Sequence, residues 1–323
     1  MLMGVLRLWC SRRSRTRQSY CPRLEHLESR WALAGNVAAT FVEPGFLLVT
    51  GDDLDNHIHI KGGKTAGEVT VHGIQRTSVD GAHKRHFSGI ERIRVELGGG
   101  DDSAKIFNLT MSSVNASGPQ ALAGIFVRAG SGNDDVDIHN VSLFADGQGM
   151  ADESQAVIIA EGSDGDDDIR IWNAQVEATG ADHTFAQIYV LGDISGSGND
   201  RATVMNASIR AYGGSISNTA LLDVQELLGG GNDVYTVMNS SVVASGPLAS
   251  SRIRLDLGDG DDSAIVKNSR FDHLEVRLGS GDDEMELRNN DIAILAFLDG
   301  GEGDDTLKAK NNSGTVSAIG FED

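Results

Sequence analysis

The chain has 323 residues, with 40 Gly against 4 Pro, 5% aromatic residues and a formal net charge of −20. That charge excludes nucleic acid and anionic membrane as partners and favours cations or basic partners. The scarcity of rings argues against a core built on large aromatic side chains. Abundant glycine with little proline, in a patterned sequence, points to frequent tight turns and not to a disordered tail.

Residues 1–34 differ from the rest. They hold seven arginines (Arg7, Arg12, Arg13, Arg15, Arg17, Arg23, Arg30) against Glu25 and Glu28, so taking this +5 segment away moves the net charge from −20 to −25. Both cysteines, Cys10 and Cys21, lie here, and a product cleaved after Ala34 contains no disulfide. Ala32-Leu33-Ala34 has the small-residue spacing of a cleavage site, although no long apolar run precedes it. A disordered basic tail is the alternative. The stretch RLEHLESRWALAGN (23–36) resembles the leader of surface and secreted planctomycete proteins, with Leu24-Glu25-His26-Leu27-Glu28-Ser29-Arg30 as its core. It departs from that pattern at Ser29 and Trp31. The resemblance implies a secreted or cell-surface location and is silent on activity. No apolar run approaches the roughly eighteen residues that a spanning helix needs, so no transmembrane segment is expected.

Residues 35–92 read as an irregular first coil and N-terminal cap. FLLVTGDDLDNHIHI (46–60) carries Asp52, Asp53, Asp55 and Asn56 ahead of an alternating strand, and EVTVHG (68–73) adds a further strand. An open solenoid end invites edge-to-edge pairing, which a cap prevents.

From residue 93 to 323 the chain repeats. The turn cores are LGGGDD, AGSGND, SDGDD, SGSGND, LGGGND, LGDGDD, LGSGDD and GGEGDD. Their last residues are Asp102, Asp134, Asp167, Asp200, Asp233, Asp262, Asp283 and Asp305, and an Asn follows each of them six residues later, from Asn108 to Asn311. Two residues after each Asp the side chain is small or apolar, as it is four residues after. This is the period-2 alternation of a strand with one buried face. A second strand precedes each turn, as in Ile93/Val95/Leu97, and a third follows the Asn. The reading is an all-β, single-domain parallel β-helix (β-solenoid) of about eight or nine coils, with one Gly-Asp turn row and one Asn ladder. Parity predicts that the Asn side chains point inward at a corner. The longer coils carry about eleven extra residues each. These form either a row of loops on one side, which is where a large partner is expected, or a fourth strand that widens the coil.

GGEGDDTLK (300–308) matches the nonapeptide G-G-x-G-x-D-x-U-x, and the repeats resemble hemolysin-type (RTX) calcium-binding repeats. The resemblance implies Ca2+ in the turn row, with the motif Asp of each turn as ligand. It departs in having one turn per coil and no nine-residue array. The preceding residue is Asp at Asp101, Asp166, Asp261, Asp282 and Asp304 and Asn elsewhere, so the tightest sites are expected at Asp261/Asp262, Asp282/Asp283 and Asp304/Asp305. Asp serving only to cap the turn through backbone N–H groups is the competing reading. No nucleophile elbow, P-loop or dinucleotide fingerprint is present. His57 and His59 share one strand face without a third ligand, and Trp172 reads as an outward platform or as packing under the inserts. The chain is therefore read as a structural or adhesion module of the cell surface or exterior. A cell-surface polysaccharide or another surface protein is the expected partner. A polysaccharide-processing lyase or hydrolase, or a metal-free solenoid, is the alternative.

Overall fold

The computed structural model describes residues 35–114, 120–147, 153–180, 183–191, 198–214, 217–225, 230–246 and 248–322. The leader at 1–34 lies outside the described residues. Every regular element described is a strand, and the strands join into one sheet of 25. The chain is thus all-β, and among the described residues no helix is long and apolar enough to cross a membrane.

Strand direction is mixed for a local reason. Up to residue 87 the chain folds back on itself. Asn36–Glu43 pairs antiparallel with Phe46–Thr50, and Val69–Gly73 pairs antiparallel with both His57–Gly62 and Lys84–Phe87. Beyond that point every strand-to-strand ladder is parallel and links one repeat to the next. Ser103–Val114 pairs with Asp135–Gly147, which pairs with Asp168–Gly180, so that Ile106, Ile138 and Ile171 lie side by side. The same column continues through Val204, Val237, Val266 and Leu287. All seven are fully buried, as the alternation predicts. In the final repeat described, the equivalent Ala309, paired with Leu287, is exposed.

The Asn column departs from its predicted position. Each of the eight Asn residues has a left-handed backbone, with φ between 51° and 56°. Asn tolerates this conformation better than most residues. The bend resets the alternation, so the Asn side chain is exposed and the next residue turns inward, as Leu109, Val141 and Ala174 do. The ladder itself is present, on the outside. Nδ2 of each Asn donates to Oδ1 of the Asn one repeat earlier, from Asn108 to Asn206 and from Asn239 to Asn311, at 2.9–3.2 Å.

The extra residues of the longer repeats add a strand. Where the short repeats have one strand, Arg270–Ser280, the longer ones have two, for example the end of Asp135–Gly147 and then Glu153–Glu161. The two arms are thin because small side chains stack within them. Ala145, Ala178 and Ala211 form one buried row, and Ala156, Ala186 and Ala220 form another. The segments that join the arms, such as 115–119 and 148–152, lie outside the described residues.

Candidate functional site

The turn row is built by glycine. Gly132 has φ 132°, and a Cβ there would lie 2.0 Å from the Gly100 carbonyl oxygen of the preceding repeat. The same approach recurs at Gly165, Gly231, Gly260, Gly281 and Gly303. Only glycine lets successive turns stack this closely.

The two residues after the last glycine point to opposite sides of the backbone. The motif residues Asp102, Asp134, Asp167, Asp200, Asp233, Asp262, Asp283 and Asp305 are all buried. The residues before them, including Asp101, Asp261, Asp282 and Asp304, are exposed. The structure therefore does not bring Asp261 and Asp262, Asp282 and Asp283, or Asp304 and Asp305 together as paired ligands. It joins each Asp to its equivalent in the neighbouring repeats.

Both rows serve the backbone, in opposite directions. In the inner row, Oδ1 accepts a hydrogen bond from the backbone N–H of the equivalent residue one repeat earlier. The series runs from Asn56 N to Asp102 Oδ1 at 2.7 Å through to Asp283 N to Asp305 Oδ1 at 3.0 Å. In the outer row, Oδ1 accepts from the repeat that follows, from Asp101 N to Asp55 Oδ1 at 3.1 Å through to Asp304 N to Asp282 Oδ1 at 3.0 Å. Each turn is thereby held to the next by two side chain–backbone bonds. Where the acceptor is an ionised carboxylate such a bond is among the stronger ones, whereas Asn133, Asn199 and Asn232 accept as neutral amides.

The ends of the inner row were not legible from spacing. Asn56 takes the motif place in the first repeat, with its Nδ2 donating to the Asp52 and Leu54 carbonyls at 2.9 and 2.6 Å. A 46-residue interval containing the antiparallel strands hides its equivalence to Asp102. At the other end, Asp305 N donates to Glu322 Oε2 at 2.6 Å, and no repeat signal marks that glutamate.

Six of the inner carboxylates are only half satisfied: Oδ2 of Asp102, Asp134, Asp233, Asp262, Asp283 and Asp305 is buried and has no hydrogen-bond partner among the described residues. Burial, which penalises the charged form, pushes the Asp102, Asp134 and Asp262 carboxyls up to about 7 and Asp283 to about 6. Backbone N–H donors act against that rise, and neighbouring acids add to it. Such a row needs either protons or a cation. Among the described residues, no group of three or more His, Cys, Asp or Glu side chains closes around a common point as a metal cage.

The outward positions of the repeats carry ion pairs. Arg94 meets Glu96 at 2.7 Å, Lys105 meets Asp137 at 2.9 Å, Arg128 meets Glu161 at 3.0 Å and Arg254 meets Asp256 at 3.1 Å. On the same face as Lys105, rings stack along the strand column. His59 meets Phe107 edge-on at 5.7 Å, Phe107 stacks on His139 at 5.4 Å, and His139 stacks on Trp172 at 4.6 Å. Trp172 is thus an outward, half-buried residue, away from the added strands. His83 and His72 sit ring to ring at 6.1 Å, and His86 lies in the strand Lys84–Phe87.

Comparison of the chain with family models, curated proteins and solved structures found no match.

Proposed function

We propose that the chain is a parallel β-solenoid acting as a structural and adhesion module at the cell surface or outside the cell. The observation that carries this reading is the pair of Asp/Asn rungs repeated at every turn, which stitch one repeat to the next along the whole series. Side chains spent on inter-repeat backbone bonds are the mark of a part whose task is to persist as a scaffold. The location rests on the leader resemblance at residues 23–36.

Calcium is the proposed occupant of the turn row. Its support is the buried Oδ2 atoms of Asp102, Asp134, Asp233, Asp262, Asp283 and Asp305, which have no donor among the described residues, since hard carboxylate oxygen is the ligand type that calcium takes. When bound, calcium would supply positive charge to the row, while the protein itself supplies the stacked glycine turns that hold the carboxylates in line. The test is thermal unfolding of the full chain, followed by circular dichroism at pH 8 in millimolar calcium and then in chelator. A melt markedly higher in calcium is expected, because a ligand that binds only the folded state stabilises it. Identical melts would remove calcium and leave a metal-free solenoid.

A further inference from the structure

The outward face at Trp172 holds a hollow that the scaffold does not use. Strand Asp168–Gly180 lies beside strand Arg201–Met205 in register, with Arg170 against Thr203 and Trp172 against Met205. These four side chains line a pocket of about 240 Å³. Its cause is a step in size along the sequence: large side chains at Arg170 and Trp172 are followed one repeat later by the short Thr203.

The wall of this hollow is held in place before any ligand arrives. Trp172 rests on His139, which rests on Phe107. Its Nε1 donates to Asp137 Oδ1 at 2.9 Å, which sets the tilt of the indole. Asp137 also takes the Lys105 ammonium at 2.9 Å and meets His139 Nδ1 at 3.0 Å. Burial favours the neutral form of Asp137, but the hydrogen bonds from Lys105, Trp172 and His139 outweigh it and keep the carboxyl below its ordinary range. Arg170 is tethered in the same way by Asp135, with Asp168 Oδ1 3.7 Å from its Nε. A fixed aromatic wall loses little entropy on binding.

The chemistry of the rim selects the occupant. The guanidinium of Arg170 is already matched by Asp135 and flanked by Asp168, and Asp137 lies behind the indole. A phosphate or carboxylate ligand would meet more negative than positive charge there. A purely apolar ligand would cover Arg170 and Thr203 without offering them a hydrogen bond, which is costly. A pyranose ring fits both demands. Its C–H face packs on an apolar wall of indole and thioether, and its hydroxyls accept from Arg170 and exchange hydrogen bonds with Thr203. The hollow is the size of one ring, and the column continues one repeat on as Thr236 and Met238, so a linear chain can run across successive repeats.

We infer that the Arg170–Trp172–Thr203–Met205 hollow is a binding subsite for an uncharged hexose unit of a polysaccharide. The inference rests on the adhesion reading above and gives it a ligand class. Trp172 is the only tryptophan after residue 31, so the full chain carrying Trp9→Phe and Trp31→Phe has a single emitter at the proposed subsite. This protein is titrated with linear hexasaccharides of β-1,4-glucose, β-1,4-mannose and α-1,4-glucose, and with an oligogalacturonate of equal length. Retardation in gels containing the parent polymers is measured in parallel. The expected result is a saturable blue shift with at least one neutral sugar, and binding at least tenfold weaker in Trp172→Ala and in Thr203→Arg. The latter fills the hollow while leaving the indole in place. Circular dichroism spectra of both variants at the temperature of the titration should match the parent. No shift with any of the three neutral sugars, a response to oligogalacturonate alone, or unchanged retardation in both variants would overturn the proposal. These readouts are independent of the calcium melt, so the failure of one reading is distinguishable from the failure of the other.

Discussion

At the scale of single residues, the inner row couples stability to pH. The Asp102, Asp134 and Asp262 carboxyls sit near 7 in the folded chain, against an ordinary value of 3.8. Between those values the folded state holds protons that the unfolded chain has released. The stability these groups contribute is therefore complete below about pH 4 and is lost as pH rises through about 7. In chelator, the melting temperature should fall from pH 5 to pH 8, and millimolar calcium at pH 8 should restore much of the loss. A melting temperature that rises over the same interval in chelator would contradict the burial of these carboxyls. The Asn column makes a separate prediction. Asn173 has φ 53° and accepts from Asn206 while donating to Asn140. Asn173→Ala loses the ladder bonds and strains the backbone, for roughly 1–3 kcal/mol. Asn173→Gly loses the bonds alone and should be the milder change in urea unfolding. Equal costs for the two would mean that backbone strain contributes nothing.

At the scale of elements, the turn and the strand are limited by different contacts. Strand packing is aliphatic, and its columns tolerate Ile, Val or Leu in the same place, as Ile171, Val204 and Leu287 show. The turn has no such tolerance. Gly132→Ala adds a methyl group 2.0 Å from a carbonyl oxygen in a left-handed turn, and should cost roughly 3 kcal/mol or more. Gly89→Ala, at φ 72° with nothing within 4 Å, should cost only about 1–2 kcal/mol. Urea midpoints of the two variants, compared with the parent, check this, and similar values would contradict the close stacking of the turns. The two-residue Asp/Asn step that follows the glycines divides its labour by alternation. One side chain reaches back a repeat from the inside, and the other reaches forward a repeat from the outside.

At the scale of the whole molecule, the solenoid reading predicts modularity. Each repeat touches its neighbours through equivalent pairs, so that Asp168, Arg201 and Val234 occupy one column. Deleting residues 201–233 joins Asp200 to Val234 and removes one whole repeat in register. The shortened chain should keep a β-sheet dichroism spectrum and a cooperative melt, at a somewhat lower temperature. Its failure to fold would favour a sheet that depends on closure over one that repeats.

The sequence by itself determined the strands, the buried columns, the glycine turns and the Asn ladder, because each of these is a local periodicity repeated eight times. The burial of Ile106, Val204 and Leu287 was readable from alternation alone. Tertiary structure decided what alternation cannot carry through a bend. The left-handed Asn reverses the parity that placed it inside, and adjacent carboxylates such as Asp282 and Asp283 lie on opposite sides of one strand. Only stacking revealed that Oδ1 of each motif Asp is taken by the preceding turn's backbone, while Oδ2 of Asp102, Asp134, Asp233, Asp262, Asp283 and Asp305 is buried without a donor among the described residues. Stacking also made a hollow from Trp172 and Thr203, residues thirty-one positions apart. The physical reason is that periodicity fixes what each residue does within its own repeat, whereas hydrogen-bond partners and surface hollows belong to pairs of repeats and appear only when one is laid on the next.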